Sequence, residues 1–130
     1  MSIFPAKDLQ KKIVLVEDED DVRESIKILL LDAGYEVKDA PDAVNIFDIL
    51  KDFEPDVILL DLFLEHADGK EICKSIKQNP LTSHIPVIVI SGSADIYNTI
   101  IECGANDVVS KPFIPATLLR RIERQLINAS

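Results

Sequence analysis

The chain has 130 residues, of which 47% are hydrophobic and 28% are charged, and these proportions are those of an ordinary globular protein. This length suits one domain that buries its own core. The net charge of −9 opposes attraction to a nucleic-acid backbone, so direct nucleic-acid binding is not expected. No apolar run approaches the roughly 20 residues that span a bilayer, and the first ten residues lack the apolar core of a signal peptide. We therefore predict a cytoplasmic protein without a membrane segment.

Short apolar runs alternate with helical stripes five times, which predicts an α/β domain with a parallel sheet covered on both faces by helices. Continuous apolar runs predict three central strands, and short or alternating runs predict two edge strands. In chain order the predicted strands are Ile13 to Val16, Tyr35 to Lys38, Val57 to Leu60, Pro86 to Ile90 and Asp107 to Ser110. The edge assignments match the flavodoxin-like order 2-1-3-4-5, which we adopt from that fold rather than derive.

Five helices are expected between and after these strands. Helix 1 ends at Gly34, and helix 2 runs from about Asp42 to Lys51 with Ile46, Phe47 and Leu50 facing inward. Helix 3 begins near Asp68 and Gly69 and ends before Asn79, helix 4 covers roughly Asp95 to Cys103, and helix 5 follows Pro115. Helix 4 is apolar on more than one side, so it either sinks into the core or presents a partner surface.

The two cysteines, Cys73 and Cys103, fall within predicted helices. They have no CxxC spacing and no histidine nearby in sequence, so a metal site is not expected. We predict two reduced and partly buried thiols.

Chemically useful side chains follow the ends of four predicted strands. Glu17 and Asp18 follow the first strand, Asp61 follows the third, Ser91 the fourth and Lys111 the fifth. In open parallel sheets ligands bind at this edge, although each residue alone could simply cap a turn or face solvent. Three neighbouring carboxylates repel one another unless a cation joins them, and Mg²⁺ prefers carboxylates, water and phosphate oxygen. Mg²⁺, Lys111 and the Ser91 hydroxyl would each bind one of the three oxygens of a phosphoryl group on Asp61.

Four segments resemble response-regulator receiver domains of two-component systems. They are Ile13 to Glu19, Pro55 to Asp61, Ile85 to Ser91, and Ser110 to Phe113, and Asp68 and Gly69 begin seven residues after Asp61. The resemblance covers essentially Lys11 to Asn128. It implies a receiver domain over residues 11–130, preceded by an N-terminal extension over residues 1–10.

The resemblance implies a role for each site residue. Asp61 would be the phospho-acceptor, and Mg²⁺ would be bound directly by Asp18, Asp61 and the Phe63 backbone carbonyl, and through water by Glu17. Ser91 would be the switch hydroxyl, Lys111 the cation that pairs with phosphate, and the Lys111–Pro112 bond a cis peptide. The implied partners are a sensor histidine kinase or histidine phosphotransferase and a downstream protein target. A homodimer through helices 4 and 5 would fit the same pattern.

Val108 departs from the family pattern, because many members place Tyr or Phe there. The usual movement of that ring cannot operate, so Tyr97 or another element would report the state, or the output surface is not the fifth strand.

Two other readings use the same residues. A phosphate-ester hydrolase with an aspartyl intermediate would normally have a second aspartate two residues after the first, where Phe63 stands here. A receiver-like binding module that is never phosphorylated would normally lack the acceptor, hydroxyl or lysine, and all three are present. We therefore expect a phosphorylation switch that catalyses only its own phosphoryl transfer and slow dephosphorylation, and not a conventional enzyme.

Overall fold

The computed structural model describes residues 10–62, 64, 68–92 and 96–129. These residues form one five-stranded parallel sheet with the order β2-β1-β3-β4-β5. The strands are β1 (Lys12–Val16), β2 (Glu36–Ala40), β3 (Val57–Asp61), β4 (Val87–Ser91) and β5 (Asp107–Ser110). The predicted order and both predicted edge strands are confirmed.

Within the described ranges, five helices connect and follow the strands. They are α1 (Asp20–Asp32), α2 (Ile46–Phe53), α3 (Gly69–Gln78), α4 (Ile96–Cys103) and α5 (Pro115–Ala129). Successive strand residues point to opposite faces, so each central strand supplies two cores. Ile13 and Leu15 pack with α1 and α5, whereas Val14 and Val16 pack with α2, α3 and the end of α4. The domain is therefore doubly wound and flavodoxin-like.

The end of α1 follows the prediction from Gly34. This glycine has a φ of 96°, its N–H donates to the Leu31 carbonyl at 3.0 Å, and the Tyr35 N–H donates to the Leu30 carbonyl at 3.1 Å. This pair of hydrogen bonds is the Schellman arrangement, which needs a left-handed residue and favours glycine.

Helix α2 begins four residues later than predicted. The Asp42 carboxylate accepts a hydrogen bond from the Val44 N–H at 3.0 Å, and such a local turn competes with helix formation. The prediction that Phe47 faces inward is also wrong, because its side chain is 39% exposed. Ile46 and Leu50, four residues apart, occupy the inward stripe, and Phe47 lies beside it.

Helix α4 contributes Ile100 and Cys103 to the core. The side chains of Ile96, Tyr97 and Ile101 lie outside the described part of the structure, so both interpretations of the α4 surface remain predictions. Cys73 and Cys103 form no disulfide and are more deeply buried than predicted. The Cys73 thiol donates to the Cys103 carbonyl at 3.4 Å, which links α3 to the end of α4.

Gly69 allows α3 to begin directly against the end of β3. A Cβ atom there would lie 2.5 Å from the Leu62 Cα atom and 2.7 Å from the Asp61 carbonyl oxygen. The Gly69 N–H also donates to the Leu62 carbonyl at 3.1 Å. Because all of these neighbours are backbone atoms, a side chain at this position would displace the strand end that carries Asp61.

We therefore expect Gly69→Ala to lower the free energy of unfolding by about 1–3 kcal/mol, the usual cost of overpacking. Urea denaturation monitored by circular dichroism would measure the change. Gly92→Ala is the matched control, since a Cβ atom there meets nothing within 4 Å. Equal stabilities for the two variants would contradict the proposed close approach.

Candidate functional site

The carboxyl edge of the sheet brings together side chains from three strands and the loop after β1. Asp61 is the last residue of β3 and Ser91 is the last residue of β4, whereas Glu17 and Lys111 directly follow β1 and β5. Parallel strands all end at the same edge, so residues from distant parts of the chain meet there. The tertiary structure thus places these predicted residues at one edge.

Three carboxylates form the centre of this site. One oxygen from each of Glu17, Asp18 and Asp61 can be chosen so that all three lie within 4.8 Å of one another. Glu17 is 1% exposed and Asp61 is 3% exposed, and Asp18 has intermediate exposure. Two buried acids and one accessible acid therefore face a common point.

Lys111 provides the positive charge in this cluster. Its Nζ atom lies 3.0 Å from Glu17 Oε1 and 3.1 Å from Asp61 Oδ2. Its side chain is 30% exposed, whereas those of Glu17 and Asp61 are 1% and 5% exposed. The ammonium group therefore bridges two buried carboxylates from the solvent side.

Charge and burial shift the protonation of this cluster. Burial, reinforced by a hydrogen bond with Asp61, raises the pKa of Glu17 to about 7 although Lys111 and the Glu19 N–H favour its charged form. Burial opposes the charge of Lys111, but its hydrogen bonds to Glu17 and Asp61 outweigh burial and raise its pKa. The lysine thus stays charged, and Glu17 is the carboxylate whose charged form is disfavoured by burial.

Ser91 and Lys111 are joined through the backbone. The Lys111 N–H donates to the Ser91 carbonyl at 2.8 Å, and Ser91 is 2% exposed. The peptide bond between Lys111 and Pro112 is cis, as the resemblance implied. Phe63, the remaining predicted site residue, lies outside the described residues, so its predicted carbonyl ligand stays a prediction.

Arg23 supports the site, and the sequence analysis missed it. Its Nη1 atom donates to the Glu17 carbonyl at 2.9 Å, and its other nitrogens bind Asp20 at 2.6 Å and Asp39 at 3.3 Å. One guanidinium group therefore fixes the loop after β1 to α1 and β2. The three-residue spacing of Asp20 and Arg23 was the available signal, because such pairs share a helix face.

The chemistry of the donor set fits a hard divalent cation. Carboxylate oxygens are the ligands that Mg²⁺ prefers, and it usually takes only one or two together with water and phosphate oxygens. Glu17, Asp18 and Asp61 supply carboxylates from two neighbouring segments. The same ion would offset the cost of burying the charged form of Glu17 and its repulsion by Asp61.

A doubly wound sheet with an acidic cluster and a lysine at its carboxyl edge defines the class of protein, a flavodoxin-like domain with a potential metal site. Residues 13–123 match the family described as Response regulator receiver domain. The chain belongs to this family, and it is therefore a receiver domain of the two-component signalling type.

Two relatives have names that describe transcriptional regulation. The chain is 36% identical over 118 residues to the phosphate regulon transcriptional regulatory protein PhoB of Pseudomonas aeruginosa, covering 89% of this chain and 52% of that protein. It is 35% identical over 119 residues to the transcriptional regulatory protein CseB of Streptomyces coelicolor, covering 90% of this chain and 50% of that protein. The chain thus spans about half the length of these curated relatives.

Solved structures share the fold over nearly their whole length and over most of this chain. A response regulator from Chloroflexus aurantiacus superposes with a TM-score of 0.84 at 32% identity, covering 91% of this chain and 98% of that chain. The chemotaxis response regulator CheY4 of Vibrio cholerae has a TM-score of 0.82 at 27% identity, covering 90% of this chain and 99% of that chain.

Family membership has general consequences for this site. Receiver domains bind Mg²⁺ at an acidic cluster, and Glu17, Asp18 and Asp61 form such a cluster here. They act as phosphorylation switches and not as classical enzymes, and they interact with histidine kinases and downstream effector domains. Among the described residues, no helix is long and apolar enough to cross a membrane.

Proposed function

We propose that Asp61 accepts a phosphoryl group from a phosphohistidine of a sensor histidine kinase or histidine phosphotransferase, and that phosphorylation changes the affinity for a downstream protein. One observation carries this proposal. The Asp61 carboxylate lies within 4.8 Å of Glu17 and Asp18 and 3.1 Å from the Lys111 ammonium. The side chains proposed as acceptor, metal ligands and phosphate-pairing cation are therefore close enough to act on one phosphoryl group.

Asp18 and Asp61 would hold Mg²⁺ directly, Glu17 would hold it through water, and the Phe63 carbonyl would complete the protein ligands. When bound, Mg²⁺ supplies positive charge that neutralises the carboxylates and the incoming phosphoryl oxygens. The resemblance assigns these ligand roles, and the donor chemistry of the described carboxylates supports them.

The transfer itself is a substitution at phosphorus. An Asp61 carboxylate oxygen attacks the phosphorus atom as the bond from phosphorus to the donor imidazole nitrogen breaks, and that nitrogen keeps the electron pair. Lys111, which already contacts Asp61, can exchange its carboxylate partner for a phosphoryl oxygen without leaving the site. Attack by water on the same phosphorus atom later releases inorganic phosphate and regenerates the Asp61 carboxylate.

Ser91 and Lys111 would report the phosphorylated state. The Ser91 hydroxyl would donate to a phosphoryl oxygen, and its carbonyl already accepts the Lys111 N–H at 2.8 Å. Movement of one residue toward phosphate therefore pulls on the other through the backbone. Val108, which is buried in the core, cannot supply the aromatic movement of many family members, so this backbone connection would carry the signal.

A groove beside the acceptor suits a helical phosphohistidine partner. It has a volume of about 330 Å³ and lies between α1 and the segment after β5, with Val22, Ile26, Leu29 and Phe113 among its lining residues. Amphipathic helices bind such apolar grooves through residues spaced three or four apart. Phe113 follows Lys111 by two residues, so a helix bound here would lie close to the acceptor.

The domain would act in the cytoplasm through protein contacts, with no membrane attachment and no nucleic-acid contact of its own. A homodimer through α4 and α5 would be one way to express the switch. Ile127, near the end of α5, is an exposed apolar residue on one of these two helices.

Intact-mass spectrometry after incubation with a small acyl-phosphate donor tests the proposal. We expect a gain of one phosphoryl group that requires Mg²⁺ and is absent from Asp61→Asn. Asp42→Asn is the matched control, because Asp42 is exposed and outside the cluster, and asparagine keeps its acceptor oxygen. If neither this donor nor a phosphohistidine protein modifies the chain, and a beryllium fluoride mimic also fails to bind, an unphosphorylated binding module becomes the better assignment.

A further inference from the structure

A second groove lies at the opposite edge of the sheet from the acidic cluster. It has a volume of about 830 Å³ and opens between α2 and the segment that joins α3 to β4. Buried Leu50 and Ile85 are among its lining residues, and the rim carries Phe47 and Leu81, which are 39% and 82% exposed. Apolar side chains that are exposed around a groove are one feature of binding sites.

The entry to β1 lies beside this groove. Asp56 lines the groove and is hydrogen-bonded to the first residue of β1, Lys12, in both directions. The Lys12 N–H donates to Asp56 Oδ2 at 2.8 Å, and the Asp56 N–H donates to the Lys12 carbonyl at 2.8 Å. Residues 1–9, which the structure does not describe, are therefore tethered next to the groove.

The composition and length of this segment match the groove. Ile3, Phe4 and Pro5 are consecutive apolar residues, and the eight residue-to-residue steps from Phe4 to Lys12 span up to about 26 Å when extended. A phenylalanine buries about 150–250 Å² when its ring is covered, so Phe4 has much to gain from an apolar site. The distance needed is a few strand spacings of about 5 Å, well within reach.

Charge also favours this occupant. Three acidic residues line the groove, Asp48, Glu54 and Asp56, against one lysine, Lys51. Lys7 follows the apolar cluster of the segment by two residues and precedes Asp8, the one acidic residue of the segment. The lysine is therefore the nearer of the two charges to this acidic rim when the cluster is docked.

We propose that the segment containing Ile3, Phe4 and Pro5 docks intramolecularly in this groove, with Phe4 against Phe47 and Leu81. This interaction is independent of phosphoryl transfer, because the groove and the acidic cluster lie at opposite ends of the strands.

Paramagnetic relaxation in the full chain tests this docking. A nitroxide is attached through Ser2→Cys, since Cys73 and Cys103 are buried and shielded from the label. We expect the amide signals of Asp48, Leu81 and Thr82 to lose intensity, while those of Ser91 and Lys111 at the opposite edge keep theirs. Reduction of the nitroxide should restore the lost signals.

Two variants in the labelled chain should abolish the effect, Phe4→Ser in the segment and Leu81→Asp in the groove. Val44→Asp is the matched control, because Val44 is 81% exposed like Leu81 but lies outside the groove lining. Leu81 and Val44 are both exposed, so neither Leu81→Asp nor Val44→Asp should unfold the domain. Unchanged groove signals in the labelled parent, or signal loss that survives Phe4→Ser and Leu81→Asp, would overturn the proposal. A further sample mixes an isotope-labelled chain that carries no nitroxide with a nitroxide-labelled chain that carries no isotope. Signal loss in this mixture would show that the segment docks on a second copy of the chain, and would overturn the intramolecular proposal as well.

Discussion

Lys111→Met is expected to lower the free energy of unfolding of the metal-free domain by about 2 kcal/mol. Methionine retains much of the side-chain volume but removes the ammonium that bridges Glu17 and Asp61 at 3.0 and 3.1 Å. Both carboxylates are almost completely buried and would lose their cation. Removing one partner of a fully buried pair costs more than this, and the 30% exposure of Lys111 reduces the effect.

Urea denaturation in the presence of EDTA at pH 8 would measure this loss, and added Mg²⁺ should recover part of it by supplying a replacement charge. Lys70→Met is the matched control, because Lys70 pairs with Glu102 at 3.0 Å but the two side chains are 41% and 57% exposed. Such surface pairs contribute about 0–1 kcal/mol. If the two variants lose the same stability, Lys111 does not compensate buried charge in this site.

Glu17 should make the stability of the metal-free domain depend on pH. Its pKa is about 7 in the folded protein against 4.5 for an unperturbed glutamate, so the folded state keeps a proton that the unfolded chain releases. The free energy of unfolding must therefore fall as pH rises from about 4.5 to 7, by a total of about 3 kcal/mol. Above about pH 7 the free energy of unfolding is lowered by this full amount.

Glu17→Gln should remove most of this pH dependence. In EDTA the variant should be more stable than the parent above pH 7 and similar to it near pH 4, because glutamine resembles protonated glutamate. Added Mg²⁺ should stabilise the parent at high pH by about 2.7 kcal/mol when its concentration is 100 times Kd. Glu36→Gln, at an exposed position of β2, is the control. Parallel stability curves for the parent and Glu17→Gln would show that Glu17 is not under electrostatic strain.

Central strands were predictable because they are continuous apolar runs. The observed β1 and β3 differ from the predicted bounds by one residue at one end, and β4 differs by one residue at each end. The start of α2 was not predictable from periodicity, because the Asp42 side chain supports a competing turn. Phe47 was misassigned for a related reason: an apolar residue adjacent to a helical stripe can lie at the rim of a groove as readily as in the core. Hydrophobic periodicity alone therefore does not distinguish a core position from a position at the rim of a groove.

Sequence by itself determined the fold class and which side chains gather at the carboxyl edge of the sheet. Apolar patterning dictates which segments become strands, and carboxylates, a hydroxyl and a lysine follow the strands whose ends must meet. Only the tertiary structure decided how these groups share charge, because Lys111 meets Asp61 across 50 residues and Glu17 across 94. The same is true of Arg23 bonding the Glu17 carbonyl and of the close backbone approach at Gly69. Distances and burial of this kind follow from packing the elements together, and no local pattern of residues encodes them.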